Sequence, residues 1–184
     1  MAPIKPFSIT TSLLMMIFII TTMTVISQTS SKQSNQSTLV FYLHDVANGP
    51  NATVAQIIGI NGKVWSYHTW GTLFMVDDPI TLTPDQYAVQ VGRAQGTISV
   101  ASLDGSNVII VLSLVFNNVQ YNGSTLEIQG ASRQRENYRE LTVVSGTGRF
   151  RFAKGYVVFE TVSYEPTTTR AVIRLTVTLS QNNI

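Results

Sequence analysis

Near the C-terminus, apolar and polar side chains alternate with a period of two. Ile173, Leu175, Val177 and Leu179 share one face of an extended segment, and Arg174, Thr176 and Thr178 share the other. That spacing predicts a strand with one buried face. β-Branched and aromatic stretches recur upstream at Thr38–Asp45, Val54–Ile60, Val64–Val76, Ala88–Ser102, Asn107–Asn117, Ser124–Ser132, Leu141–Val144 and Arg149–Ser163. Between them lies turn chemistry: Asn48-Gly49-Pro50-Asn51, Asn61-Gly62, Asp77-Asp78-Pro79, Asp104-Gly105, Asn122-Gly123 and Gly146-Thr147-Gly148. No window carries the spacing of an amphipathic helix. Short strands joined by short turns predict an all-β sandwich or barrel, and the pattern alone does not choose between them.

The N-terminal segment follows a different rule. Lys5 precedes the unbroken apolar run Leu13–Ile20, and Val25-Ile26-Ser27 places small residues where a signal peptidase cuts. A bilayer span needs about 20 apolar residues, so this run is too short for one. Residues 1–27 are therefore expected to be a signal peptide and the mature protein to be secreted. Residues 28–37, rich in Ser, Thr, Gln and Asn, read as a flexible arm, and residues 38–184 as the folded domain. Asn35, Asn51 and Asn122 each open an Asn-x-Ser/Thr acceptor for glycosylation.

Charge and residue usage exclude several functions. Lys and Arg number 12 against 10 Asp and Glu, with no basic block to meet a nucleic acid. There is no cysteine, so neither a disulfide nor a thiolate metal site can form. His44 and His68 are the only histidines and neither has a second ligand at metal spacing, so no metal or cofactor is expected. A Gly-x-Ser-x-Gly elbow is missing. Asp45, at the end of the first strand, reads either as an acid–base group at a pocket mouth or as the cap of the next turn. Arg93 reads either as an anion partner or as one half of a structural ion pair. Adjacent acids before a proline, as in Asp77-Asp78-Pro79, read as a turn, because paired catalytic carboxylates come from separate elements.

Taken in order, these segments resemble the plant dirigent family. The resemblance spans roughly Leu39 to Leu179. It is carried by Phe41-Tyr42-Leu43-His44-Asp45, Gly49-Pro50-Asn51-Ala52-Thr53, Trp70-Gly71-Thr72, Val76-Asp77-Asp78-Pro79-Ile80-Thr81, Val91-Gly92-Arg93-Ala94-Gln95-Gly96, Tyr121-Asn122-Gly123-Ser124-Thr125-Leu126 and the stretch from Arg139 through Tyr156. It implies an eight-stranded antiparallel barrel of the allene-oxide-cyclase type, a homotrimer or homodimer, and a place in the apoplast. It also implies a phenolic small molecule as ligand. The leading expectation is stereoselective coupling of monolignol radicals to lignans, with a separate laccase or peroxidase supplying the radicals and no oxidation by the protein itself. The alternatives are a lyase of the pterocarpan-synthase type, which dehydrates an isoflavanol through a quinone methide, and a cell-wall or defence protein that only binds phenolics.

By the same resemblance Asp45 is the acid or base, and Arg93 and Arg139 are its anion partners. Phe41, Thr147 and Phe150 are expected to line the ligand site. Ser132 also falls there, and departs from the family pattern. In lignan-forming members that make the minus product an acid stands at this position, after Gly130-Ala131.

Overall fold

The computed structural model describes residues 36–180. These form nine strands: β1 (Gln36–Val46), β2 (Val54–Ile58), β3 (Leu73–Thr81), β4 (Gln90–Val100), β5 (Asn107–Phe116), β6 (Thr125–Arg133), β7 (Tyr138–Thr147), β8 (Gly155–Glu165) and β9 (Arg170–Ser180). A short 3-10 turn, Gly148–Phe150, follows β7. Hydrogen bonding runs in the order β1-β9-β8-β7-β6-β5-β4-β3-β2, and a further β1–β3 contact closes the circle. Every pairing is antiparallel. Eight strands thus make the expected barrel, and β2 is an additional strand beside β3. Among the described residues no helix is long and apolar enough to cross a membrane. The expected signal peptide, most of the arm and Asn35 lie outside the described residues. The last two arm residues, Gln36 and Ser37, begin β1 opposite Ser180 and Leu179.

Period-two alternation fills the barrel. On β5 the buried side chains are Val108, Ile110, Leu112, Leu114 and Phe116, and on β9 they include Leu175, Val177 and Leu179. This is the inward half of each strand, removed from water in the register that the C-terminal alternation predicts. Close strand packing sets one glycine: a Cβ on Gly155 would lie 2.0 Å from the Thr178 carbonyl oxygen. One end of the barrel is plugged by aromatic rings. Phe116 lies 5.2 Å from Phe41 and 5.4 Å from Phe150 between ring centroids, and Tyr121 lies 5.0 Å from Phe150.

Four expected elements differ, and the mildest is Gly146-Thr147-Gly148, whose first two residues end β7 rather than form a turn. Val64–Val76 is not one strand: the chain makes turns until Leu73. Ser66 and Thr69 bond each other through their hydroxyls at 2.9 Å, and the Thr69 amide donates to the Ser66 carbonyl at 3.1 Å. Such local bonds compete with a sheet ladder. Arg149–Ser163 begins as the 3-10 turn and enters β8 only at Gly155. Most consequential, Asp77-Asp78-Pro79 is not a turn but the middle of β3.

Candidate functional site

The site starts from an incomplete closure. β1 and β3 pair only at Tyr42–Thr81 and Leu43–Ile80. Two residues further along each strand, the same register would set Asp45 against Asp78. There the strands splay, and Thr53 fills the gap. Its amide donates to the Val46 carbonyl and its carbonyl accepts from the Asp77 amide, both at 2.9 Å. The gap explains how Pro79 survives inside β3. Amides alternate sides along a strand, so Pro79, two residues after Asp77, would aim its missing N–H into this gap, where no ladder acceptor stands.

Asp45 and Asp78 both face a cavity of about 140 Å³ in the barrel. Its apolar wall includes Leu43, Val76, Ile98, Val108, Ile110, Leu112, Phe159 and Ile173, and its polar groups are Asp45, Tyr67, Asp78, Ser132, Gln134 and Arg139. Asp78 is 2% exposed. Burial raises its pKa to about 8, helped by the charge of Asp45 and opposed by the Thr53 hydroxyl. Burial raises Asp45 to about 6. The two values describe a coupled pair that ionises in sequence, the first charge opposing the second. Between them, one carboxyl is an acid and the other a base.

Tyr67 arrives from the loop that replaced the expected strand. Its ring stacks on Phe74 at 4.2 Å between centroids. The Gln134 side-chain amide holds that loop, donating to the Tyr67 carbonyl and, at 2.9 Å, to the Gly105 carbonyl. Gly105 is confined to glycine twice over, by φ of 70° and by the His68 carbonyl, 2.1 Å from where a Cβ would sit. The Tyr67 hydroxyl, the Asp45 Oδ1 and the Arg139 Nε are buried with no hydrogen-bond partner. Three such groups around one cavity mark it as a place for a polar ligand, since buried polar atoms are almost always paired. Burial pushes the Tyr67 hydroxyl well above the usual phenol range, with the charges of Asp45 and Asp78 adding to it. Burial lowers the pKa of Arg139. Its Nη2 donates to the Thr161 hydroxyl at 2.8 Å.

The structure therefore brings together Asp45, Arg139 and Ser132 among the residues singled out in the sequence. It does not bring Arg93 to them. The neighbour Ala94 points inward and is fully buried, so Arg93 points outward, where it pairs with Asp77. Phe41 and Phe150 belong to the aromatic plug. Thr147 shares a 2.8 Å hydroxyl contact with Thr125. Thr147 lies eight positions along β7 from Arg139, about 26 Å at strand rise, which places them at opposite barrel ends. Asn51 and Asn122 are exposed in turns. Asp78, Tyr67 and Gln134 were missed. A signal for Asp78 was present: Phe74, Val76 and Ile80 share its parity and are all apolar.

Comparison with known proteins fits this arrangement. The family model described as dirigent-like protein matches residues 36–180. The chain belongs to the dirigent family. Among curated dirigent relatives, pterocarpan synthase 1 of Glycine max is 38% identical over 119 residues, 64% of each chain. Pterocarpan synthase 1 of Glycyrrhiza echinata is 35% identical over 73% of this chain and 72% of its own. Dirigent protein 23 of Arabidopsis thaliana is 34% identical over 77% of this chain and 75% of its own. The match to the Glycine max protein spans a little under two thirds of that relative. A solved pterocarpan synthase dirigent protein superposes with a TM-score of 0.73 at 32% identity, covering 83% of this chain and 99% of its own.

Proposed function

We propose that this dirigent protein binds one phenolic ring in the barrel and directs the stereochemistry of a step through a quinone methide. Asp45 and Asp78 act as its acid–base pair. The observation that carries this reading is two carboxyls facing one small cavity with an apolar wall, beside the unpartnered Tyr67 hydroxyl and Arg139 Nε. An apolar cavity of about 150 Å³ holds a benzene molecule, so about 140 Å³ suits one ring rather than two.

The proton balance closes without an oxidant. Protonated Asp78 gives its proton to a benzylic hydroxyl, which leaves as water. Ionised Asp45 takes the proton of the conjugated phenol, and a neutral quinone methide results. A second hydroxyl of the same substrate then bonds to the exposed carbon. Its proton goes to Asp78, and Asp45 returns a proton to the ring oxygen. Both carboxyls regain their starting states. Arg139 and Tyr67 stand where a developing phenolate oxygen can be stabilised. Selectivity follows from holding one face of the carbon toward the nucleophile, and about 1.4 kcal/mol of barrier difference gives a tenfold preference.

The pterocarpan synthase relatives support this reading. A second reading, carried by the family resemblance, is the stereoselective coupling of phenoxyl radicals made by a separate oxidase. Ser132 favours the first, because a buried serine adds no second acid on β6. The test is whether turnover needs an oxidase. The reading predicts conversion of an isoflavanol to its cyclised dehydration product by the protein alone. Conversion only of coniferyl alcohol, and only with laccase, would replace it with the second. We further propose a secreted homo-oligomer, supported by the Leu13–Ile20 run and by the exposed apolar Met75 and Val111 on the outer wall.

A further inference from the structure

Thr53 stands between the cavity and the outside of the barrel. It lines the outer grooves beside Arg93 and His44 and is absent from the cavity wall, whereas Asp78 lines the cavity. Its backbone ties β1 to β3, as described above. Its hydroxyl makes two further bonds. The Val46 amide donates to Thr53 Oγ1 at 3.0 Å, and Oγ1 donates to Asp78 Oδ1.

These two bonds fix a direction. The Val46 amide takes one lone pair of Oγ1, and Asp78 Oδ1 is the one acceptor within reach of the hydroxyl's single hydrogen, so donation to Asp78 is the arrangement that leaves no group unpaired. Asp78 Oδ1 then serves as the carbonyl-type acceptor, which favours Oδ2 as the seat of the acid proton. We propose that Thr53 is a positioning residue that assigns the acid proton of Asp78 to Oδ2, the oxygen left for the cavity, and holds the carboxyl at the splay. The proposal rests on the acid–base reading of the cavity and adds to it which oxygen delivers the proton, and why.

A hydroxyl donated to a carboxylate stabilises the charged form. Removing it should therefore make Asp78 harder to ionise. The other groups around Asp78 are Asp45 from β1, Tyr67 from the preceding loop, Asp77 on β3, Arg93 from β4 and Arg139 from β7. All of them are unchanged by a substitution at Thr53. Thr53 also completes the Asn51 acceptor, so the comparison belongs in protein made in bacteria, where no glycan is present.

The experiment is a carbon-13 NMR titration of the aspartate side-chain carboxyls, read without substrate. Thr53→Val should raise the Asp78 midpoint by about one pH unit while Thr53→Ser leaves it near the wild-type value. In the wild-type protein the Thr53 Cβ shift should follow the Asp78 titration. A purely structural threonine would lower the melting temperature of Thr53→Val and leave the midpoint in place, which would overturn the proposal. So would a wild-type Thr53 Cβ shift that ignores Asp78, a readout that survives even if Thr53→Val fails to fold. Because no substrate is involved, a failure of the quinone-methide reading shows up separately, as absence of turnover with the titration intact.

Discussion

Asp78 is a carboxyl in an apolar wall, and water is too scarce there to solvate its charge. The pair therefore ionises in two steps, near pH 6 and near pH 8, with burial pushing Asp78 further up than Asp45. The productive state, one acid and one base, is most populated between those values. The activity–pH profile should be bell-shaped, with limbs near 6 and 8, when kcat/KM is followed across the range. Asp78→Asn keeps the shape and removes the acid. It should lower kcat by about 10²- to 10⁴-fold, the usual worth of a positioned proton donor, with a smaller change in KM. The same shifts bear on stability. Both folded-state values are raised above the ordinary carboxylate range, so the folded protein holds protons that the unfolded chain releases. The stabilisation is complete below about pH 4 and is lost as pH rises through about 6 and about 8. For Asp45 alone, a shift of about two units corresponds to about 3 kcal/mol. Calorimetry should find a lower melting temperature at pH 8.5 than at pH 5, and a flatter dependence in Asp78→Asn. The site was only partly legible at this scale. Asp45 was readable from its place at a strand end, but Asp78 was concealed by its own neighbours. Asp77 and Pro79 together mimic a turn, and only the parity of Phe74, Val76 and Ile80 betrays a strand. Arg93 follows the same parity argument: one position from the buried Ala94, it has to face out.

At the scale of elements, the loop between β2 and β3 does what no strand could. It brings Tyr67 into the cavity wall, and Gln134, just beyond β6, holds it there. Losing a part-buried amide that serves two carbonyls costs about 1 kcal/mol or more. Gln134→Ala should therefore raise KM several-fold as Tyr67 loosens, and shift kcat less, in steady-state assays of the folded variant. The sequence reads this segment as strand because Val64, Trp65 and Tyr67 have high β propensity. What overrides that propensity is local: the Ser66–Thr69 hydroxyl contact and the positive φ of Gly71 at 83°. By contrast β5, β6 and β9 were legible almost to the residue. Their alternation is long, and the inward face is buried along all of β5 and most of β6 and β9.

For the whole molecule, the architecture was legible where motifs supplied it. Alternation alone left sandwich and barrel open, since both bury one face of each strand. Closure depends on two residue pairs between β1 and β3, a detail no periodicity encodes. The outer wall carries its own information. Met75, Thr97 and Val111 lie side by side across β3, β4 and β5, pointing outward. Covering this strip in a homo-oligomer would bury it, so Met75→Asp combined with Val111→Asp should give monomers by light scattering while the circular dichroism of the barrel is kept. The central claim concerns the cavity: its carboxyl pair directs a phenolic substrate through a quinone methide to one enantiomer. The most direct measurement is chiral chromatography of the product formed from an isoflavanol with no oxidase present, comparing the wild-type protein with Asp78→Asn. The account predicts one cyclised enantiomer in large excess from the wild type and little product from the variant. Racemic product, or equal yields from the two proteins, would contradict it.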